Sequence, residues 1–249
     1  MDTGPLFCHL RAAHEVDRGV SEDHPKSDGP KLDGPKLDWK GDVPVARAFD
    51  DPYFSLGDGL AETRHVFLAG NGLPGRFSPG FHIAELGFGT GLNVLAAWAA
   101  WRASGVDGPL RMTSFERFPM SASDMARAHR AYPELAGLSD GFLGGLGPDG
   151  FQSDNLQLDL IVGDARETLP LWEGKADAWF LDGFSPAKNP ELWEPSLLAA
   201  VAHHTSAKGT AATYSAAGAV RRGLQDAGFE VQRVPGYGRK RHMTVARLP

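Results

Sequence analysis

The sequence predicts an open α/β sheet, mostly parallel, with helices on both faces and an antiparallel hairpin at its end. Three observations carry that reading. Short apolar runs alternate with helical patterns from residue 81 onward, and repeated β–α units build a parallel sheet. A glycine turn, Gly87-Phe88-Gly89-Thr90-Gly91, stands between one such run and a helix. Another run, Ala176–Leu181, ends in a lone acid, Asp182, and a loop stiffened by Pro186 and Pro190 follows. In open α/β sheets, ligands bind beyond the carboxyl ends of the strands. An acid at such an end faces the ligand, because burying it within the strand is costly.

The elements follow in order. Residues 1–36 are polar, and Gly29-Pro30-Lys31-Leu32-Asp33 repeats at once as Gly34-Pro35-Lys36-Leu37-Asp38. Such a stretch buries too little apolar surface to offset its ordering entropy, so a disordered tail is expected there. The domain is expected over 37–249, with 37–79 as a lead-in anchored by Phe49, Tyr53, Phe54 and Phe67. The core over 80–249 opens with a strand, Phe81–Leu86, and a helix, Leu92–Trp101, apolar nearly all round and hence buried. Met112–Phe115 is a strand ending at Glu116, and Ser121–Ala131 a helix with Pro133 beyond it. Gly141–Gly150 reads as irregular, and Leu158–Val162 as a strand ending at Gly163-Asp164. A helix over Glu194–His203 follows the Asp182 strand, then a strand, Thr210–Tyr214, and a helix, Gly218–Ala227. Phe229–Val234 and Met243–Arg247 close the chain around a Gly/basic turn too short for a parallel crossover. The sum is a Rossmann-like sheet with a terminal antiparallel hairpin.

Bulk properties exclude several classes. The chain has 249 residues and is 42% hydrophobic, enough for one substantial core. No apolar run approaches the roughly 20 residues that cross a bilayer. The first residues lack a signal peptide's order, so a soluble cytoplasmic protein with no membrane partner is expected. Cys8 is the single cysteine, and His203-His204 lack metal-ligand spacing, so no metal is expected. Ser215 has no nucleophile-elbow context. A net charge of -6 argues against a generic nucleic-acid coat but leaves room for a local basic patch.

The chemistry-bearing residues cluster at strand ends. Gly87, Gly89 and Gly91 let the backbone turn sharply, and the helix after them offers unpaired N–H groups to an anion. Glu116, at the next strand end, can accept both hydroxyls of a ribose, or can be a solvated cap. Asp164, one strand further, can accept from an exocyclic amino group such as adenine's, or can be an ordinary loop aspartate. The spacing G-x-G-x-G, with Glu85 two residues before it, is not that of dinucleotide binders. Some 80 residues precede the loop and an antiparallel pair closes the chain. That ordering resembles the class I S-adenosylmethionine-dependent methyltransferases.

Longer blocks narrow the resemblance. Phe49-Asp50-Asp51-Pro52-Tyr53-Phe54-Ser55, Glu62-Thr63-Arg64-His65-Val66-Phe67-Leu68, the glycine loop through Asn93, Ser114-Phe115-Glu116-Arg117-Phe118-Pro119, Asp177 through Pro190, and Arg221 through Phe229 occur in this order. Together they resemble the methyltransferase domain of the bifunctional tRNA 5-methylaminomethyl-2-thiouridine biosynthesis protein and its stand-alone relatives. The resemblance runs from about Leu37 to His242 and has no counterpart for the tail or for the family's flavin-dependent oxidoreductase half. It implies a cofactor, S-adenosyl-L-methionine, held by Glu85, Gly87, Phe88, Gly89, Thr90, Gly91, Asn93, Glu116, Asp164 and Asp182. It also implies transfer of methyl to the primary amine of 5-aminomethyl-2-thiouridine at the tRNA wobble position. A separate FAD-dependent oxidoreductase would then act upstream.

Within that implied reaction, Asp182 is expected to orient the amine, and Tyr53 and Phe184 to receive the unstacked base. Phosphate contacts are expected from Arg239-Lys240-Arg241 in the closing turn, with Lys188, Arg221 and Arg222. A methyltransferase for a small-molecule amine, a nicotinamide-dependent oxidoreductase and a non-catalytic RNA-binding module are the competing expectations.

Overall fold

The structure, a computed structural model, describes residues 34–55 and 57–249. The expected tail therefore lies, up to residue 33, outside the described residues. Next comes a small antiparallel sheet, β1 (Leu37–Lys40), β2 (Val43–Ala46) and β3 (Asp51–Pro52). The sequence reading placed only a lead-in there. A short helix α1 (Gly59–Thr63), capped by the Asp58 carboxylate on the Ala61 N–H, runs on into irregular helical turns to Asn71.

The core alternates as expected. β4 (His82–Leu86) leads to α2 (Leu92–Ser104), and β5 (Leu110–Glu116) to α3 (Ala122–His129) and α4 (Ala136–Gly145). β6 (Gly150–Ser153) and β7 (Leu156–Val162) precede α5 (Ala165–Thr168). β8 (Ala176–Leu181), α6 (Pro195–His203), β9 (Thr205–Thr213), α7 (Gly218–Asp226), β10 (Glu230–Pro235) and β11 (His242–Arg247) complete the chain.

Eight strands form one sheet in the order β10-β11-β9-β8-β4-β5-β7-β6. The five central strands run parallel. β11 lies antiparallel between β9 and β10, and β6 is antiparallel at the other edge. The Rossmann-like sheet and its terminal hairpin are thus as the sequence predicts.

Alternation along β8 explains why both faces are covered. Ala178 and Phe180 enter the core shared with α2, whereas Trp179 and Leu181 enter the core shared with α6 and α7. α2 is buried nearly all round, with Val94, Leu95 and Ala97 at 0% exposure, which is why its sequence shows no polar face.

One expectation fails. Much of Gly141–Gly150 is not irregular, since α4 runs through Gly145. Phe142 explains it: the ring is fully buried and packs on Phe151 and Phe88. Burying an aromatic ring outweighs the roughly 1 kcal/mol by which each glycine disfavours helix.

The strand tips of β4 and β8 meet at Gly87, whose φ is +91°. A Cβ here would collide with the Asp182 carbonyl oxygen. The Asp182 N–H in turn donates to the Leu86 carbonyl at 3.1 Å. Gly87→Ala is expected to lower stability by about 2–4 kcal/mol through backbone strain and overpacking. Denaturant unfolding tests this, and an unchanged midpoint would mean that the two tips do not pack this closely.

Candidate active site

A cavity of about 920 Å³ opens beyond the carboxyl ends of β4, β5, β7 and β8. Gly87, Phe88, Gly89, Thr90, Asn93, Glu116, Asp164 and Asp182 all line it, as do Tyr53, Phe184, Arg239 and Lys240. Most of the residues singled out from sequence therefore converge on one hollow, between the main sheet and the amino-terminal segment.

The glycine loop is tied to the next strand end. The Glu116 carboxylate accepts from the Gly89 N–H at 3.0 Å and the Phe118 N–H at 2.7 Å, one on each oxygen. Each oxygen keeps a lone pair, the arrangement a vicinal diol needs. Burial pushes the Glu116 carboxyl above its ordinary range, and backbone N–H groups pull it back. Beneath the loop, His129 reaches the Thr90 carbonyl at 2.7 Å and Ser139 at 2.7 Å. Burial holds that imidazole low, so it acts as a neutral prop.

Asn93, in the first turn of α2, joins the acids. Its side-chain NH2 donates to Glu85 at 2.8 Å and to Asp182 at 2.7 Å, while its oxygen accepts from the Thr63 hydroxyl at 2.9 Å. Asp182 is half-buried at the tip of β8. Burial pushes its carboxyl up to about 7; the Asn93 amide lowers it, Glu62 raises it, and Lys240 lowers it. Glu85 is fully buried and accepts from Ser114 as well, at 2.5 Å. Burial pushes it up to about 8.

Several expectations need correction. Glu85 does not line the cavity; it anchors Asn93 from below. Gly91 does not line it either, but supplies the left-handed turn (φ +74°) that starts α2. Asp164 lines the wall, yet its carboxylate already receives four donors: the Arg166 N–H, Nε and Nη2, and Arg117 Nη1. Those donors fill its acceptor positions and, led by Arg166, hold it below the usual carboxylate range. Accepting from an adenine amino group would require Arg117 or Arg166 to withdraw. Lys188 is not directed at a phosphate: it donates to the Asp50 carbonyl and lies 3.4 Å from Asp51, whose other oxygen accepts from the Ser185 N–H. It ties the Asp182 loop to β3. Lys240 turns inward to Glu62 at 2.8 Å. Arg221 and Arg222 sit on α7 outside the cavity lining, and Arg221 Nε is buried without a partner among the described residues.

Phe184 packs edge-on to Tyr53 at 5.1 Å and stacks on Phe49 at 4.6 Å. This aromatic wall stands beside the Asp182 loop. Glu62, Thr63 and Tyr214 also reach the cavity, and sequence reasoning gave them no role. Their signal was the Glu62-Thr63 block itself and a tyrosine just past a strand end.

A profile described as S-adenosyl-L-methionine-dependent methyltransferase matches residues 148–249. The tRNA 5-methylaminomethyl-2-thiouridine biosynthesis bifunctional protein MnmC of Pseudomonas aeruginosa is 47% identical over 213 residues, 80% of this chain and 33% of that protein. Its counterpart in Stutzerimonas stutzeri is 43% identical over 240 residues, 91% and 36% of the two chains. The crystal structure of MNMC2 from Aquifex aeolicus superposes with a TM-score of 0.68 at 28% identity, covering 88% of this chain and 72% of that one.

The chain is an S-adenosyl-L-methionine-dependent methyltransferase, similar over four fifths of its length to MnmC. It spans about a third of the length of the curated relatives it matches, and the part it matches is the S-adenosyl-L-methionine-dependent methyltransferase portion. The nicotinamide alternative is thereby overturned. Among the described residues, no helix is long and apolar enough to cross a membrane and no metal-binding cluster is present.

The cavity fits the donor that this family uses. Gly87 and Gly89 keep side chains out of the loop, and a Cβ on Gly89 would press on the Tyr53 ring at 3.0 Å. The α2 start suits a carboxylate, Glu116 has spare acceptors for ribose hydroxyls, and Asp182 offers a carboxylate beside a cation.

The two raised carboxyls have a consequence for stability. A carboxyl whose folded value lies above its unfolded value stabilises the fold fully at low pH, and loses that contribution as pH rises through the folded value. Stability without ligand is therefore expected to fall as pH rises from about 4 through 7 (Asp182) and 8 (Glu85). Chemical denaturation against pH tests this: Glu85→Gln should flatten the upper part of the decline, and an unaltered profile would exclude Glu85 as its source.

Proposed function

We propose that this enzyme methylates the primary amine of 5-aminomethyl-2-thiouridine at the tRNA wobble position, giving 5-methylaminomethyl-2-thiouridine. The observation that supports it most is the Asp182 carboxylate, held by Asn93 at 2.7 Å in the cavity that also contains the glycine loop and the Tyr53–Phe184 wall. The name borne by relatives 43–47% identical points to the same base. The cytoplasm as the site of action and a separate FAD-dependent oxidoreductase as the source of the aminomethyl base belong to the same proposal.

Bound S-adenosyl-L-methionine supplies an electrophilic methyl group on a sulfonium. The loop from Gly87 to Thr90 and Glu116 would hold it. The nucleophile, an alkyl amine, has an ordinary pKa of about 10, so at pH 7 roughly one in a thousand is neutral, a deficit of about 4 kcal/mol. A nearby carboxylate favours the protonated amine, whereas desolvation and a nearby cation favour the neutral one. Asp182 is thus poorly suited to deprotonation alone. Its role is to accept from the amine N–H groups, aim the lone pair at the methyl carbon, and stabilise the positive charge that nitrogen gains as the bond forms. The proton then leaves the secondary ammonium for solvent. Asn93 holds Asp182 in place and Tyr53 and Phe184 stack the base.

Asp182→Asn is expected to lower kcat by about a hundredfold or more, with donor affinity changed only a few-fold. Labelled methyl transfer to tRNA carrying aminomethyluridine, followed by nucleoside analysis, measures it. Near-full turnover by the variant would remove Asp182 from the chemistry. Methylation of the free nucleoside as readily as tRNA would favour a small-molecule substrate instead.

Arg239 and Arg241 are exposed in the β10–β11 turn and form no ion pair among the described residues. They are the remaining candidates of the closing turn for phosphate contacts. The double variant Arg239→Ala/Arg241→Ala is expected to bind tRNA more weakly, with a logarithmic salt slope shallower by about two. An unchanged slope would place the phosphate contacts elsewhere.

A further inference from the structure

At the Asp182 end of the cavity, Lys240 makes contacts that a surface lysine in a basic turn does not normally make. Its ammonium lies 2.8 Å from Glu62 Oε1 and 3.8 Å above the centre of the Tyr214 ring. Glu62 comes from α1, with its side chain only 11% exposed, and Lys240 is the one cation paired with it among the described residues. Tyr214, just past β9, is fixed by its hydroxyl donating to the Gly183 carbonyl at 2.7 Å, next to Asp182. An acid and an aromatic face, from elements far apart in sequence, thus converge on a single ammonium near the Asp182 carboxylate.

The group they hold is a primary alkyl ammonium, chemically the same as an aminomethyl group on a base. Lys240 reaches it from a turn containing Gly236 and Gly238, and its side chain is 44% exposed. The stem therefore has solvent to withdraw into.

We propose that Glu62, the Tyr214 face and Asp182 form a subsite for a primary alkyl amine, and that Lys240 fills this subsite as an internal stand-in which the substrate displaces. The inference rests on the amine reading above and deepens it. The subsite selects for charge: an alcohol can donate to the Glu62 carboxylate, but only an ammonium adds ion pairing to that hydrogen bond and a cation–π contact with Tyr214. Glu62 grips the incoming ammonium, and once it has given one proton to solvent Asp182 orients the neutral amine toward the donor. Lys240 supplies the buried Glu62 carboxylate with a counter-charge when no substrate is bound.

The experiment measures binding of 5-aminomethyluridine, with 5-hydroxymethyluridine as the neutral control, to protein loaded with S-adenosylhomocysteine. Lys240→Met is expected to bind the amine about tenfold more tightly than the wild type, as removing a competitor present about nine-tenths of the time requires. Adding Glu62→Gln to that variant should abolish the gain, and the hydroxymethyl control, which brings no charge, should gain several-fold less than the amine. Equal affinity in wild type and Lys240→Met, or a gain that survives Glu62→Gln, overturns the inference. Turnover of aminomethyl-tRNA by the wild type separates the two levels. Methylation without these binding shifts removes the subsite and leaves the reaction. The shifts without tRNA methylation support the amine subsite and remove the tRNA reading.

Discussion

The site depends on the Asn93 side-chain amide. One NH2 group spans two acids, at 2.8 Å to Glu85 and 2.7 Å to Asp182, and its oxygen is fixed by Thr63. Without a double donor there, two carboxyls at the tips of neighbouring strands would face each other with no mediator. Two buried like charges cannot both ionise at modest cost. The protein resolves this by environment. Burial pushes the fully enclosed Glu85 up to about 8 and Asp182, at the cavity wall, up to about 7. Of the two, Asp182 is the one that faces the cavity. A cation bound beside Asp182 draws it toward the ionised form.

This clamp requires that α2 start where it does. The left-handed Gly91 lets the helix begin at Leu92 and puts Asn93 above the β4–β8 junction. The same junction is why Gly87 has no side chain, since the Asp182 carbonyl occupies that space. β4 is also where strand order reverses, with β5 on one side and β8 on the other, so the crevice arises from topology. The amino-terminal segment then covers it. Tyr53 presses on Gly89, Asp51 holds the Asp182 loop, and α1 contributes Glu62 and Thr63.

Much of this was legible in the residues. The β–α alternation, the short final connection and the apolar α2 identified the sheet and its hairpin, because periodicity reports which faces are buried. Lone acids at strand ends identified Glu116 and Asp182, because an acid inside a strand needs buried partners of the kind Glu85 finds in Ser114 and Asn93. Partnership was not legible. Glu85 read as a ligand contact, but its carboxylate points to Ser114 and Asn93. Asp164, Lys188 and Lys240 read as free charges, yet each meets partners that only the fold supplies, at Arg166, Asp51 and Glu62. The glycines of α4 likewise hid a helix that a single buried ring, Phe142, makes worthwhile. Sequence shows which residues need a partner, and long-range packing decides which partner they get.

The central claim is that Asn93 holds Asp182 as an acid titrating near neutrality in a desolvated wall. A carboxyl-carbon NMR titration of Asp182, in the wild type and in Asn93→Ala, tests it most directly. The account predicts a wild-type midpoint of about 7 and a higher one once the amide donor is gone. A midpoint near the ordinary aspartate value of about 4, or one that does not respond to losing Asn93, would contradict it.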